Sequence, residues 1–404
     1  MDANSTKKRR SLIKKIEKER KSKVIAYVTS DRPNLSAQIW PDVVSVIHEH
    51  ILALNEGERD KLDLFIYSRG GASNVPWTLV SMFRQYAKEG SFSVLIPYRA
   101  HSAATVIALG ADEIVMTKKA ELGPIDATIP GGPYNPTDSL NNSLPLSVED
   151  VMGYFSLLEK VCCVRPDEKM RGFELLTTRV HPLALGSVSR ILDETKLVAS
   201  LLLNTRAEPF TQEQNREIID ALSSKVFSHD HAINRDEAYK KIGLKQVKEA
   251  EKISVANELW ELYEEYKSLF LLEDIFRDDQ ELISGQKDEN SWKDLKIACV
   301  ESLNRCDTCS VERLVRKVPQ QQPPQINVSL ANLVLPTINI PTLPPGMDAQ
   351  GLNTFIEQIV KQSLNQFVTN AAVVATQKII KSLPFKIERA ETYLGWKKEA
   401  NHGD

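Results

Sequence analysis

The sequence predicts an α/β fold built on a mostly parallel sheet, and two observations carry that expectation. Strand-like runs alternate with segments of helical periodicity, the pattern of parallel strands joined by crossover helices. The runs themselves are nearly all apolar, as strands buried on both faces require.

The elements follow in order. Residues 10–22 read as a short charged helix with Leu12, Ile13 and Ile16 on one face, closing an N-terminal segment of residues 1–22. Val24 to Val28 is the first strand of a main domain that spans residues 23–250. Pro41 opens a helix that runs to about Leu54, with proline in its first turn. Leu62 to Tyr67 is the second strand and ends at Gly70 and Gly71. A helix from Val75 to Glu89 repeats Val75, Leu79, Met82 and Tyr86 at helical spacing. Ser93 to Tyr98 is a third strand, Ser102 to Gly110 a helix, and Glu113 to Met116 a fourth strand. Residues 147–224 read as a mainly helical insertion, and residues 234–245 as a short helix and turn. A helical extension, residues 251–318, contains a long charged helix from Ala256 to Phe276. Residues 319–345 are rich in Pro and Gln and read as a linker or extended arm. Residues 346–404 form a C-terminal helical segment whose helix, Leu352 to Leu383, carries Phe355, Ile356, Ile359, Val360, Leu364 and Phe367 on one side.

Composition narrows the function classes. The chain has 404 residues, 42% hydrophobic and 26% charged, with a formal net charge of −3. That gives no overall basic field, so nucleic acid is not an expected partner. No apolar run is long enough to span a bilayer, and residues 1–23 lack the apolar centre of a signal peptide. A cytoplasmic protein without an integral membrane segment is expected. Cys306 and Cys309 have the spacing of half a zinc site, but no second ligand pair accompanies them. The five cysteines are read as reduced thiols, and neither a metal nor a cofactor is expected.

Acyl transfer to serine needs a nucleophile, a proton acceptor and donors for the developing oxyanion. Gly70 and Gly71 suit the donor loop, since a backbone without Cβ atoms lets N–H groups face a substrate carbonyl. They equally suit a tight strand-to-helix turn. Ser102 stands at a strand end and at the first turn of an apolar helix, where free N–H groups favour negative charge. It reads either as a nucleophile or as an ordinary helix N-cap. Both features follow successive strands, at the end where parallel sheets hold their active sites.

Three segments carry a resemblance. They are Leu64-Phe-Ile-Tyr-Ser-Arg-Gly-Gly71, the stretch from Ala100 through His101, Ser102 and Ala103 to Val115, and Glu121-Leu-Gly-Pro-Ile-Asp126. Together they closely resemble the serine dehydrogenase proteinase family of the Clp-fold superfamily, beside the Clp protease proteolytic subunit and signal peptide peptidase A. Asn234 to Leu244 resembles the helix-turn that closes crotonase-like domains. The resemblance covers residues of about 12–250. It implies a ClpP/crotonase-like ββα spiral with a helical insertion, followed here by an extended arm and a C-terminal helix. It also implies a serine peptidase acting on peptides or proteins and assembled as a trimer or hexamer. Ser102 would be the nucleophile, with the amides of Gly70, Gly71 and Ala103 as oxyanion donors.

The general base is not legible. Clp proteases carry a histidine just after the nucleophile helix, but Ala120 to Ala127 contains none; signal peptide peptidases use lysine instead. Asp126 is the acid nearest that position and reads either as orienting a base or as capping a turn. His181 lies in a connecting region that is free to fold over the site. Arg69 replaces the proline usual before the glycine pair, and reads as a carboxylate-holding group or as a surface charge. Two other functions stay open: a non-catalytic Clp-fold scaffold or binding module, and a crotonase-like enzyme acting on an acyl thioester.

Overall fold

The computed structural model describes residues 3–125, 128–129, 131–138, 143–223, 231–319, 337–338, 348–382 and 385–399. The chain divides into two compact units, residues 1–277, 294–312 and 393–404 forming one and residues 278–293 and 313–392 the other. The strands used below are β1 (Lys23–Thr29), β2 (Leu62–Tyr67), β3 (Phe92–Ile96), β4 (Arg99–Ala100), β5 (Glu113–Met116), β6 (Glu121–Leu122), β7 (Ile233–Asn234), β8 (Val247–Glu249), β9 (Glu289–Ser302), β10 (Arg305–Pro319) and β11 (Phe385–Lys398). The helices are α1 (Ala3–Arg20), α2 (Val43–Leu52), α3 (Val75–Tyr86), α4 (Ala103–Leu109), α5 (Val148–Ser156), α6 (Lys169–Thr177), α7 (Pro182–Asn204), α8 (Gln212–Ser223), α9 (Ala256–Phe270) and α10 (Ala349–Ser382).

The α/β expectation holds. The main sheet runs β8-β5-β3-β2-β1-β9-β10-β11. Strands β8, β5, β3, β2 and β1 are parallel, with Ile25 beside Leu64 and Leu64 beside Val94, whereas β9 runs antiparallel to β1 with Val300 beside Tyr27. Side chains alternate between two faces, and each face is covered. Ile25, Tyr27, Leu64, Ile66 and Val94 pack with α2, α3, α4 and the C-terminal half of α7. Val24, Ala26, Val28, Phe65, Tyr67 and Leu95 pack with Leu12, Ile13 and Ile16 of α1 and with Leu259, Leu262 and Tyr266 of α9. Burial on both sides is why these runs lack the polar alternation of a half-exposed sheet.

Two expectations about the C-terminal third need correction. Within residues 251–318, helix is confined to the first part, and β9 and β10 form long strands. Within residues 346–404, α10 is helical as expected, but Phe385–Lys398 is the strand β11. The reason is what these strands bury. Cys299, Glu301, Ser302, Asp307, Thr308 and Ser310 are all buried, so paired polar groups stand where an apolar run would have signalled a strand. Cys306 and Cys309, three residues apart on β10, face opposite cores. Cys306 instead lies 3.7 Å from Cys299, sulfur to sulfur.

Within the insertion, Val148, Val151, Ala184, Leu185 and Val188 form a satellite core. In the second unit, the buried carboxylate of Asp278 accepts from Arg313 at 3.2 Å and from Arg389 at 3.0 Å. The extended arm expected over residues 319–345 lies, but for Pro319 at the end of β10 and residues 337–338, outside the described residues. No helix among the described residues is long and apolar enough to cross a membrane.

Candidate active site

Two short stitches bring the glycine loop and the serine turn together. Strand β4 pairs with β6 in a small second sheet of order β7-β6-β4. From its end, the His101 N–H donates to the Ser68 carbonyl at 3.0 Å, and the Ser68 N–H donates to the Arg99 carbonyl at 3.1 Å. The loop after β2 is thereby fastened to the chain that enters α4. Buried Thr105 secures the other side: its hydroxyl lies 2.7 Å from the Ala100 carbonyl and 2.8 Å from that of Gly123.

Ser102 itself adopts φ 50° and ψ −118°, a conformation that L residues hold only where the surroundings impose it. It does not cap α4, since its side chain accepts no helix N–H. Its hydroxyl has no hydrogen-bond partner among the described residues, which removes the N-cap reading. Gly70 is at φ 105°, and a Cβ there would stand 2.7 Å from the Cβ of Ser102 and 2.8 Å from the His101 carbonyl oxygen. A Cβ on Gly71 would stand 2.1 Å from the Ile39 carbonyl oxygen. Both positions therefore require glycine, one for the serine and one for the neighbouring backbone.

The donors divide unevenly. The Gly70 N–H donates to Ser68 Oγ at 3.0 Å, and Ser68 Oγ also accepts from Thr29 Oγ1 at 2.8 Å. The Ile39 N–H donates to the Gly70 carbonyl at 2.8 Å, and the Ala72 N–H donates to the Ile39 carbonyl at 2.9 Å. The N–H groups of Gly71 and Ala103 have no acceptor among the described residues. Gly71, Ser102 and Ala103 all line a cleft of about 620 Å³. Its lining is largely apolar and includes Trp40, Pro76, Val106, Ile125, Ile191 and Val198; its charged lining groups are Asp31 and Arg69.

No histidine or lysine lines this cleft among the described residues. His181 caps α7, its Nδ1 accepting from the Leu183 N–H at 3.2 Å, and its ring stacks on Tyr134. His101 turns to Glu121, with Nε2 3.1 Å from Oε1. His50 is buried between Ser302 and Asp307, and His48 bonds Tyr86. Asp126 lies outside the described residues, although Ile125 before it lines the cleft. Sequence reasoning missed Asp31, which accepts from Tyr67 at 2.8 Å, Arg99 at 3.0 Å and Arg69 at 3.2 Å. An aspartate just past a strand carries no local signal, because its partners come from β2 and β4. Glu121 sits behind them. Burial works to raise its carboxyl, but bonds from His101 and Arg99 outweigh that and hold it below the usual carboxylate range.

Comparison with known proteins bears on the same stretch. The sequence model of ClpP-like SDH-type serine proteinases matches residues 1–142, which include Gly70, Gly71 and Ser102. Two uncharacterized proteins of Methanocaldococcus jannaschii are similar. One is 26% identical over 230 residues, 56% of this chain and 67% of its own length. The other is 24% identical over 220 residues, 54% of this chain and 63% of its own length. The matches thus span about two thirds of these relatives. No solved structure gives a significant match. Residues 1–142, which hold the glycine loop and the Ser102 turn, are thus similar to the ClpP-like SDH-type serine proteinases.

Proposed function

We propose that this protein is a serine peptidase in which Ser102 forms an acyl-enzyme with a peptide or protein substrate. The observation that carries the reading is Ser102 itself: a positive φ, no capping role, and a free hydroxyl on a residue lining the same cleft as Gly71 and Ala103. Ser102 Oγ attacks the peptide carbonyl carbon, a new C–O bond forms, and the carbonyl electron pair moves onto oxygen. The Gly71 and Ala103 N–H groups stabilise that oxyanion, while Gly70 serves by shape, since its own N–H is held by Ser68. When the C–N bond breaks, the leaving amine takes up the proton that Oγ released. Water then hydrolyses the ester and returns a proton to Oγ. Asp126 is our choice for the group that moves or orients this proton, because its neighbour Ile125 lines the cleft. The engaged ring of His181 gives that residue no such support.

The test is intact-mass spectrometry after exposure to a fluorophosphonate, with Ser102→Ala alongside. One adduct in the wild type and none in the variant is the expected result. The lack of a lining histidine or lysine among the described residues favours a second reading, a Clp-fold binding module. The absence of an adduct from both proteins would select it.

A further inference from the structure

The Ser102 cleft is bordered by one charged group whose donors remain open. Arg69, directly before the glycine pair, donates through Nε to Asp31 at 3.2 Å, and its side chain is 52% exposed. Its Nη1 and Nη2 groups donate to no acceptor among the described residues. Asp31 is held from behind by Tyr67 at 2.8 Å and Arg99 at 3.0 Å, so the guanidinium is anchored along one edge and presents the other. Arg99 passes on to Glu121 at 3.1 Å, and the same Glu121 oxygen lies 3.1 Å from His101. The result is a row of alternating charge, Arg69, Asp31, Arg99 and Glu121, which ends at Arg69 on the cleft lining.

We propose that Arg69 receives a carboxylate of the substrate, beside the bond that Ser102 cleaves. This deepens the serine peptidase reading and rests on it. A planar guanidinium already fixed through Nε offers two parallel N–H groups, the geometry that matches a carboxylate. A carboxylate bound there extends the alternation by one charge, whereas a cation would face an arginine. The placement follows from the loop: Arg69 adjoins Gly70, whose α-carbon is packed against Ser102, and lies two residues before the free Gly71 N–H. The carboxylate belongs either to the free C-terminus of a peptide, which makes the enzyme a C-terminal trimming peptidase, or to an acidic side chain next to the scissile bond.

Timed fluorophosphonate labelling of Ser102 in the presence of three protecting peptides distinguishes these. The peptides are N-acetyl-trialanine as the free acid, the same peptide as its amide, and the amide with glutamate at the centre. In the wild type, the free acid or the glutamate peptide should protect at roughly tenfold lower concentration than the plain amide, the size expected of a charge-assisted pair. Whichever protects identifies the source of the carboxylate. Arg69→Gln should bring the ratio to about one and Arg69→Lys should leave part of it. The ratio is taken within each protein, so a change in labelling rate cancels, and Asp31 keeps Arg99 and Tyr67 in both variants. Equal protection by all three peptides, no protection by any, or a preference that survives Arg69→Gln would overturn the inference while the acylating serine stands. A wild type that takes no label would overturn both.

Discussion

Ser102 and Gly70 are a pair that constrain each other through their backbones. The serine holds a positive φ because the stitched loops leave it no other path, and Gly70 makes room at the point of closest approach. An alanine at Gly70 meets both a left-handed φ and a 2.7 Å contact with the Ser102 Cβ. Gly70→Ala should therefore destabilise the protein by about 1–3 kcal/mol and slow fluorophosphonate labelling by roughly tenfold or more. Gly57→Ala is the matched control, since a Cβ there meets nothing within 4 Å. Melting temperature and labelling rate check both, and equal behaviour of the two variants would refute the constraint. At this scale the sequence showed which residues meet, through their spacing after successive strands. It did not show that the Gly70 N–H is already spent on Ser68 Oγ, which also accepts from Thr29 at the end of β1.

At the scale of elements, the β9–β10 pair depends on polar burial. His50 of α2 bonds Ser302 at 2.8 Å and Asp307 at 3.0 Å, and Arg305 reaches the same Asp307 carboxylate. Burial alone would raise the Asp307 carboxyl, but His50 and Arg305 together bring it down to about 2. A carboxyl lowered in the folded state binds its proton more readily when unfolded. Its contribution is thus full above the ordinary carboxylate range and fades as the pH falls from about 4 to about 2. The melting temperature of Asp307→Asn should lie below that of the wild type at pH 6, with the gap closing over this window. A gap that ignores pH would count against the pairing. Along the chain these residues read as helix because their charges and cysteines hide any apolar alternation; paired in the sheet, His50, Ser302, Arg305 and Asp307 satisfy one another.

Across the whole molecule, what the fold leaves uncovered matters as much as what it covers. Helices α5 and α6 and the segment between them expose Leu157, Val161, Met170 and Leu175, with Val161 72% exposed. Large apolar side chains exposed in this way suit contact with another chain, and we propose that copies of this protein assemble through them. Light scattering should give a multiple of 45.4 kDa, and the double substitution Val161→Asp and Leu175→Asp should lower it towards one chain. A wild type that already runs as a single chain would refute the assembly.

The sequence by itself determined the parallel strands, the helices between them and the two small-residue turns that meet at the cleft. Those are encoded by neighbours along the chain: apolar runs, helical period and turn chemistry act over a few residues. Only the tertiary structure decided which polar groups find partners. Arg9 bonds Glu301 at 2.5 Å across 292 positions, and Arg69 meets Asp31 across 38. It also decided that the described part of the cleft has no histidine or lysine on its walls, and which N–H groups beside Ser102 are left free. Such pairings depend on which strands lie side by side, and no local pattern records that.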